Sequence, residues 1–97
     1  MNKHIGSSLD EAIKSQMKDE KFASEFARQQ IISEIAQKVY NLRVNAGLTQ
    51  TKMAKESNTT QQVIARIEGG KDTRMPSIDL LSRIANAAGK SIRVTFK

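Results

Sequence analysis

Apolar side chains return every three or four positions along most of this chain and every second position only at its end. The pattern predicts a series of helices followed by one short strand. Ser8 and Glu11 have capping-box spacing, and Leu9, Ala12, Ile13 and Met17 follow at helical intervals, which predicts a helix over residues 9–18. Asp19 can cap a second helix that opens with Phe22, Ala23 and Phe26 and continues through Ile31, Ile32, Ile35, Val39 and Leu42. That helix either runs unbroken to about Ala46 or breaks near Gln29 and Gln30, since neither proline nor glycine marks an earlier end.

Shorter elements follow. Gly47 suits a helix C-cap, and Thr49 then caps a helix to about Ser57 with Met53 and Ala54 inward. Asn58 tolerates the left-handed conformation at the turn, and Thr60 caps the next helix, where Val63, Ile64 and Ile67 are apolar. Gly69 and Gly70 end that helix before a polar loop of Lys71, Asp72, Thr73 and Arg74. Pro76 and Ser77 introduce the last helical pattern, carried by Ile78, Leu81, Ile84, Ala85 and Ala88 and stopped at Gly89. Beyond it Ile92, Val94 and Phe96 alternate with Arg93, Thr95 and Lys97, the period of a strand with one apolar face. Such a strand either pairs with its symmetry mate or a partner's sheet, making Ile92, Val94 and Phe96 dimerisation residues, or it folds as a tail against the helices. The expected architecture is an all-α small helical bundle. It has an N-terminal helical extension (residues 1–30), a central domain (31–90) and a short C-terminal β-strand (91–97).

Composition narrows the function classes. Ninety-seven residues suit one core with little margin for a second. The absence of cysteine removes disulfides, thiol catalysis and cysteine-based zinc sites, and the one histidine, His4, stands alone near the N-terminus. Scattered carboxylates offer no metal cluster and no nucleophile–base pair, so neither an enzyme nor a bound metal or small-molecule cofactor is expected. No apolar run has membrane-spanning length, and the expectation is a soluble cytoplasmic protein that does not engage a membrane. Charge then divides the chain. Residues 1–30 carry five basic and five acidic side chains, whereas residues 31–97 carry eleven and five, which accounts for the whole net charge of +6. A polyanion partner for the C-terminal two-thirds follows as an expectation.

Two short helices joined by a polar turn, with paired glutamines opening the second, are how a protein presents a helix to a DNA major groove. Glutamine can pair bidentately with adenine and arginine with guanine, so Gln61 and Gln62 are the leading base readers and Arg66 the next. Arg66 can equally hold a phosphate or a carboxylate such as Glu68. Val63 is divided between core packing and contact with a thymine methyl. Gln50, with Thr49 and Thr60 at the helix starts, can approach phosphates, and Lys52, Lys71 and Arg74 add charge for the DNA backbone.

The run Gly47-Leu48-Thr49-Gln50, Met53-Ala54, Thr60-Gln61-Gln62 and Ile64 through Glu68, closed by Gly70-Lys71, resembles the helix-turn-helix of the Xre family, which includes lambdoid phage repressors and Cro proteins. The resemblance implies a lambda-repressor-like domain with Gln50, Gln61, Gln62 and Arg66 at DNA-facing positions. Ser57 and Thr59 stand where that family has apolar residues, and Asn58 where it has glycine, so a softer local core is expected. The front, with Ser8-Leu9-Asp10-Glu11, Lys18 through Phe22 and Glu25-Phe26, resembles HigA-type antitoxins, although Glu20 replaces a frequent proline. That likeness implies a dimer that represses its own operon at a pseudo-palindromic operator and neutralises a RelE/HigB-like mRNA-cleaving toxin. The toxin-binding face would then comprise Leu9, Ile13, Met17, Phe22 and Phe26, unless Phe22 and Phe26 pack into the protein's own core. The alternative is a stand-alone phage-type or cellular transcriptional repressor without a toxin partner, and a third reading is an RNA-binding adaptor without DNA specificity.

Overall fold

A computed structural model describes residues 19–97. The helix expected over residues 9–18, with Leu9, Ile13 and Met17, lies outside the described residues. The chain divides into two units, residues 1–31 and 32–97.

Four helices occur among the described residues: α1 (Glu20–Asn45), α2 (Gln50–Glu56), α3 (Gln61–Gly69) and α4 (Ile78–Ala87). None is long and apolar enough to cross a membrane. Local chemistry sets most of their ends. Asp19 Oδ1 accepts the Lys21 and Phe22 N–H groups and so starts α1. Thr49, Thr60 and Ser77 cap α2, α3 and α4 by accepting the N–H three residues on. The α1 helix has no break near Gln29 and Gln30. It ends where Gly47, at φ +72°, lets the Leu48 N–H reach back to the Arg43 carbonyl.

Within the first unit, Phe22 and Phe26 stack one helical turn apart with ring centroids 6.2 Å from each other. Phe22 is half-buried, while Phe26 and Ile31 are exposed.

The second unit holds a compact core. Val39 from α1, Met53 and Ala54 from α2, Ile64 and Ile67 from α3 and Ile84 from α4 form one buried cluster. Ile35, Leu48, Val63, Leu80, Leu81 and Ala88 close its margins. These are the residues the helical period places inward, and their burial supplies most of the driving force for folding. The α2 helix packs on both α3 and α4. Gly70, at φ +67°, lies so near α1 that a Cβ there would stand 3.2 Å from Ala36 Cβ.

The expected C-terminal strand does not form. Residues 91–97 have no regular secondary structure, and no β-strand occurs among the described residues. Alternation says which side chains would share a face, but a strand exists only through hydrogen bonds to a neighbouring strand, and no described segment offers one. Ile92 lines a groove with Val39, Leu42 and Ile84. Val94 is exposed and Phe96 is 95% exposed.

Candidate nucleic-acid interface

The turn between α2 and α3 decides where the glutamine pair stands. Asn58 takes the left-handed conformation at φ +57°, the Asn58 N–H bonds to the Lys55 carbonyl, and the Thr59 N–H reaches the Ala54 carbonyl. These bonds form a Schellman cap with asparagine where glycine is the commoner choice. The turn is also held from outside. Arg83 on α4 donates Nη1 to the Ser57 carbonyl and, at 3.0 Å, to the Asn58 carbonyl, while its Nε meets Asp79 at 3.1 Å. One guanidinium thus ties the turn to α4. Ser57 is fully buried, and its hydroxyl has no hydrogen-bond partner among the described residues. Ser57 thus places an unpartnered polar atom in the buried turn.

A polar chain runs from α1 to the start of α3. Arg43 meets Glu68 through Nε at 2.7 Å and Nη2 at 3.0 Å, and its Nη1 donates to the Leu48 carbonyl at 2.9 Å. The Arg43 and Glu68 side chains are only 14% and 6% exposed. The hydrogen bonds to Glu68 raise the Arg43 pKa against the opposing cost of burial, helped by the charge of Glu68 and by Tyr40. Tyr40 also places its ring 5.5 Å from the guanidinium carbon. Glu68 Oε1 accepts Gln50 Nε2 at 3.0 Å, and Gln50 Oε1 accepts Gln61 Nε2 at 2.7 Å. The glutamine at the start of α3 is therefore linked through two intermediaries, Gln50 and Glu68, to a half-buried arginine.

Gln61 keeps one N–H and its carbonyl oxygen beyond the Gln50 bond, the donor–acceptor pair that an adenine edge requires. Gln62 is exposed beside it, and Arg66 lies one turn further along the same helix. Val63 is half-buried against the core, so its methyls are mostly committed to packing.

Other expected residues distribute unevenly. Thr49 and Thr60 are exposed and use their hydroxyls as helix caps. Lys52 pairs with Glu56 at 3.4 Å on the exposed side of α2, and Lys71 is exposed in the loop after α3. Arg66 does not bind Glu68. Its Nε lies 2.9 Å from Asp72 Oδ2, and Arg74 grips the same carboxylate. Hydrogen bonds from the Arg74 side chain, then from its backbone N–H, draw the Asp72 pKa down to about 2 against the effect of burial. Sequence reading missed Arg43, Asp72 and Arg83. The Asp72-x-Arg74 spacing is a local signal for one of these contacts, whereas Arg43 and Arg83 act on partners about 25 residues away and leave no mark in the nearby pattern.

A family model described as helix-turn-helix matches residues 39–94, which span the end of α1, all of α2, α3 and α4, and most of the tail. No curated protein and no solved structure matches the chain.

Proposed function

The chain belongs to the helix-turn-helix family, and we propose that it is a transcriptional repressor that sets α3 into the major groove of operator DNA. Its Xre-type DNA-binding domain is of a non-catalytic kind. The observation that carries the reading is the Gln50–Gln61 bond at 2.7 Å, with Gln62 exposed alongside. A base-reading amide must meet its base edge in one orientation, and a hydrogen bond made before docking removes rotamers that binding would otherwise have to freeze.

In this reading Gln61 and Gln62 face adenines, Arg66 faces a guanine, and Val63 adds at most a methyl contact. Thr49, Gln50, Thr60, Lys52, Lys71 and Arg74 hold the DNA backbone. The charge excess of residues 31–97 supplies the nonspecific attraction. Two copies on a pseudo-palindrome would place their reading helices about 34–36 Å apart.

The test is sequence enrichment from a randomised duplex pool, followed by footprinting. Replacing Gln61 and Gln62 with alanine should abolish the preference while leaving salt-dependent binding to random DNA. An unchanged preference would remove both residues from the reading role.

A second reading adds toxin neutralisation. Its support is the stacked Phe22–Phe26 pair in the first unit, with Phe26 and Ile31 exposed on a charge-balanced segment. An apolar helix face of this kind can dock on a folded partner, and its acidic residues suit a basic, RNA-binding protein. Coexpression with the product of the adjacent gene decides the matter. Copurification that is lost on replacing Phe22 and Phe26 with serine supports the antitoxin reading, and its absence leaves the stand-alone repressor.

A further inference from the structure

Asp72 sits in the loop after α3 with both of its oxygens saturated by arginine. Oδ2 lies 2.9 Å from Arg66 Nε and 2.9 Å from Arg74 Nη2. Oδ1 accepts Arg74 Nε at 3.1 Å and the Arg74 backbone N–H at 2.8 Å. Four contacts fill the acceptor capacity of a carboxylate. The two cations are those that the operator reading assigns to a guanine and to the DNA backbone.

The geometry is that of an arginine–phosphate contact, because a carboxylate and a phosphate offer the guanidinium fork the same paired oxygens. The Asp72 side chain is only 18% exposed, whereas that of Arg74 is 70% exposed. Ile32, Ile35, Ile67, Met75, Pro76 and Leu80 line a small cavity beside the cluster, so its inner side is apolar. The carboxylate is ionised throughout the physiological range.

We propose that Asp72 determines specificity as an internal phosphate mimic: it withholds Arg66 and Arg74 from arbitrary DNA and presets Arg66 for the sequence that α3 reads. The proposal rests on the operator reading for the role of Arg66. A nonspecific duplex must compete with Asp72 for Arg74, and it also meets the carboxylate's own charge. A cognate duplex makes enough other contacts through Gln61 and Gln62 to offset that competition. Removing the anion should therefore strengthen nonspecific binding and narrow the gap to specific binding.

The experiment compares wild type, Asp72→Asn, Asp72→Glu and Glu34→Gln on two probes. One is a random-sequence duplex, and the other is the duplex that wild type enriches from a randomised pool. Glu34 lies on α1, is exposed and pairs with Lys38, so Glu34→Gln makes the same charge change on a different element. For Asp72→Asn on the random duplex, the plot of log affinity against log salt should steepen by about 0.9 for one additional counterion released. Its advantage over wild type should then grow about eightfold between 1 M and 0.1 M salt. Affinity for the enriched duplex should rise less, so the specificity ratio falls. Asp72→Glu, which keeps the anion, should return the slope to that of wild type, and Glu34→Gln should leave it unchanged. Equal slopes for Asp72→Asn and Glu34→Gln, or a weakened grip of Asp72→Asn on random DNA, would overturn the proposal. If wild type enriches no sequence, the operator reading fails, while the slope on the random duplex still judges whether Asp72 restrains the arginines.

Discussion

Replacing Arg43 with methionine tests whether the α1–α3 ion pair holds α3 in place. The change keeps most of the apolar stem but removes the bidentate contact to Glu68 and the bond to the Leu48 carbonyl. The Glu68 side chain is 6% exposed and would keep the Gln50 amide as its side-chain partner among the described residues. A charge left in that position cannot recover its hydration, and breaking a buried pair from one side costs about 3–5 kcal/mol. For a domain of this size such a loss lowers Tm by roughly 12–40 °C. It would also consume a large share of a total stability of about 5–15 kcal/mol. Urea denaturation followed by circular dichroism, run as a double-mutant cycle with Glu68→Leu, measures it. The pair Arg43→Met/Glu68→Leu should recover more than half of the loss, since it leaves no unpaired charge. A single-variant loss below about 1 kcal/mol, or a double variant as unstable as the sum of its singles, would refute the reasoning.

Other expectations follow from individual contacts. Ser57→Ala should be neutral or stabilise by up to about 1 kcal/mol, because it removes a buried hydroxyl that has no partner among the described residues; a loss above that size in urea melts would mean the hydroxyl is satisfied. Asn58→Ala should cost about 1 kcal/mol, because alanine meets the left-handed penalty at φ +57° without asparagine's local hydrogen bonding; an unchanged midpoint would count against the strain. Gly70→Ala should destabilise by about 1–2 kcal/mol, through positive φ and the close approach to Ala36. Gly69→Ala, where a Cβ meets nothing within 4 Å, should be neutral or stabilise by up to about 1 kcal/mol, and thermal melts that rank the two glycines the other way would contradict both. The Asp72 pKa is depressed, so the stability that its arginine contacts contribute is present above the ordinary carboxylate value of 3.8 and is lost as pH falls through about 2. An NMR titration of the Asp72 carboxyl carbon with a midpoint near 4 would show that the arginines do not hold it.

Much of the fold is legible because much of it is local. Asp19, Thr49, Thr60 and Ser77 cap their helices by reaching two or three residues along the chain, and the residue types at those spacings announce it. The inward set of Val39, Met53, Ile64, Ile67 and Ile84 follows from a 3.6-residue period for the same reason. The glutamine pair is likewise visible, since its place at the start of a capped helix depends only on Thr60. The strand at residues 91–97 fails because alternation is a local property, whereas a ladder needs a second segment.

The sequence by itself determined where the described helices start, which faces are apolar, and that the net basic charge lies in residues 31–97, the part that holds α3. Only the tertiary structure decided the electrostatic partners. Arg43 takes Glu68, Arg66 takes Asp72, and Arg83 takes the two turn carbonyls, none of which follows from helical spacing. The reason is physical. Hydrophobic burial is nondirectional and is already satisfied by periodicity, whereas a charge-assisted hydrogen bond needs two groups within about 3 Å in one orientation. That juxtaposition arises only once the helices have packed.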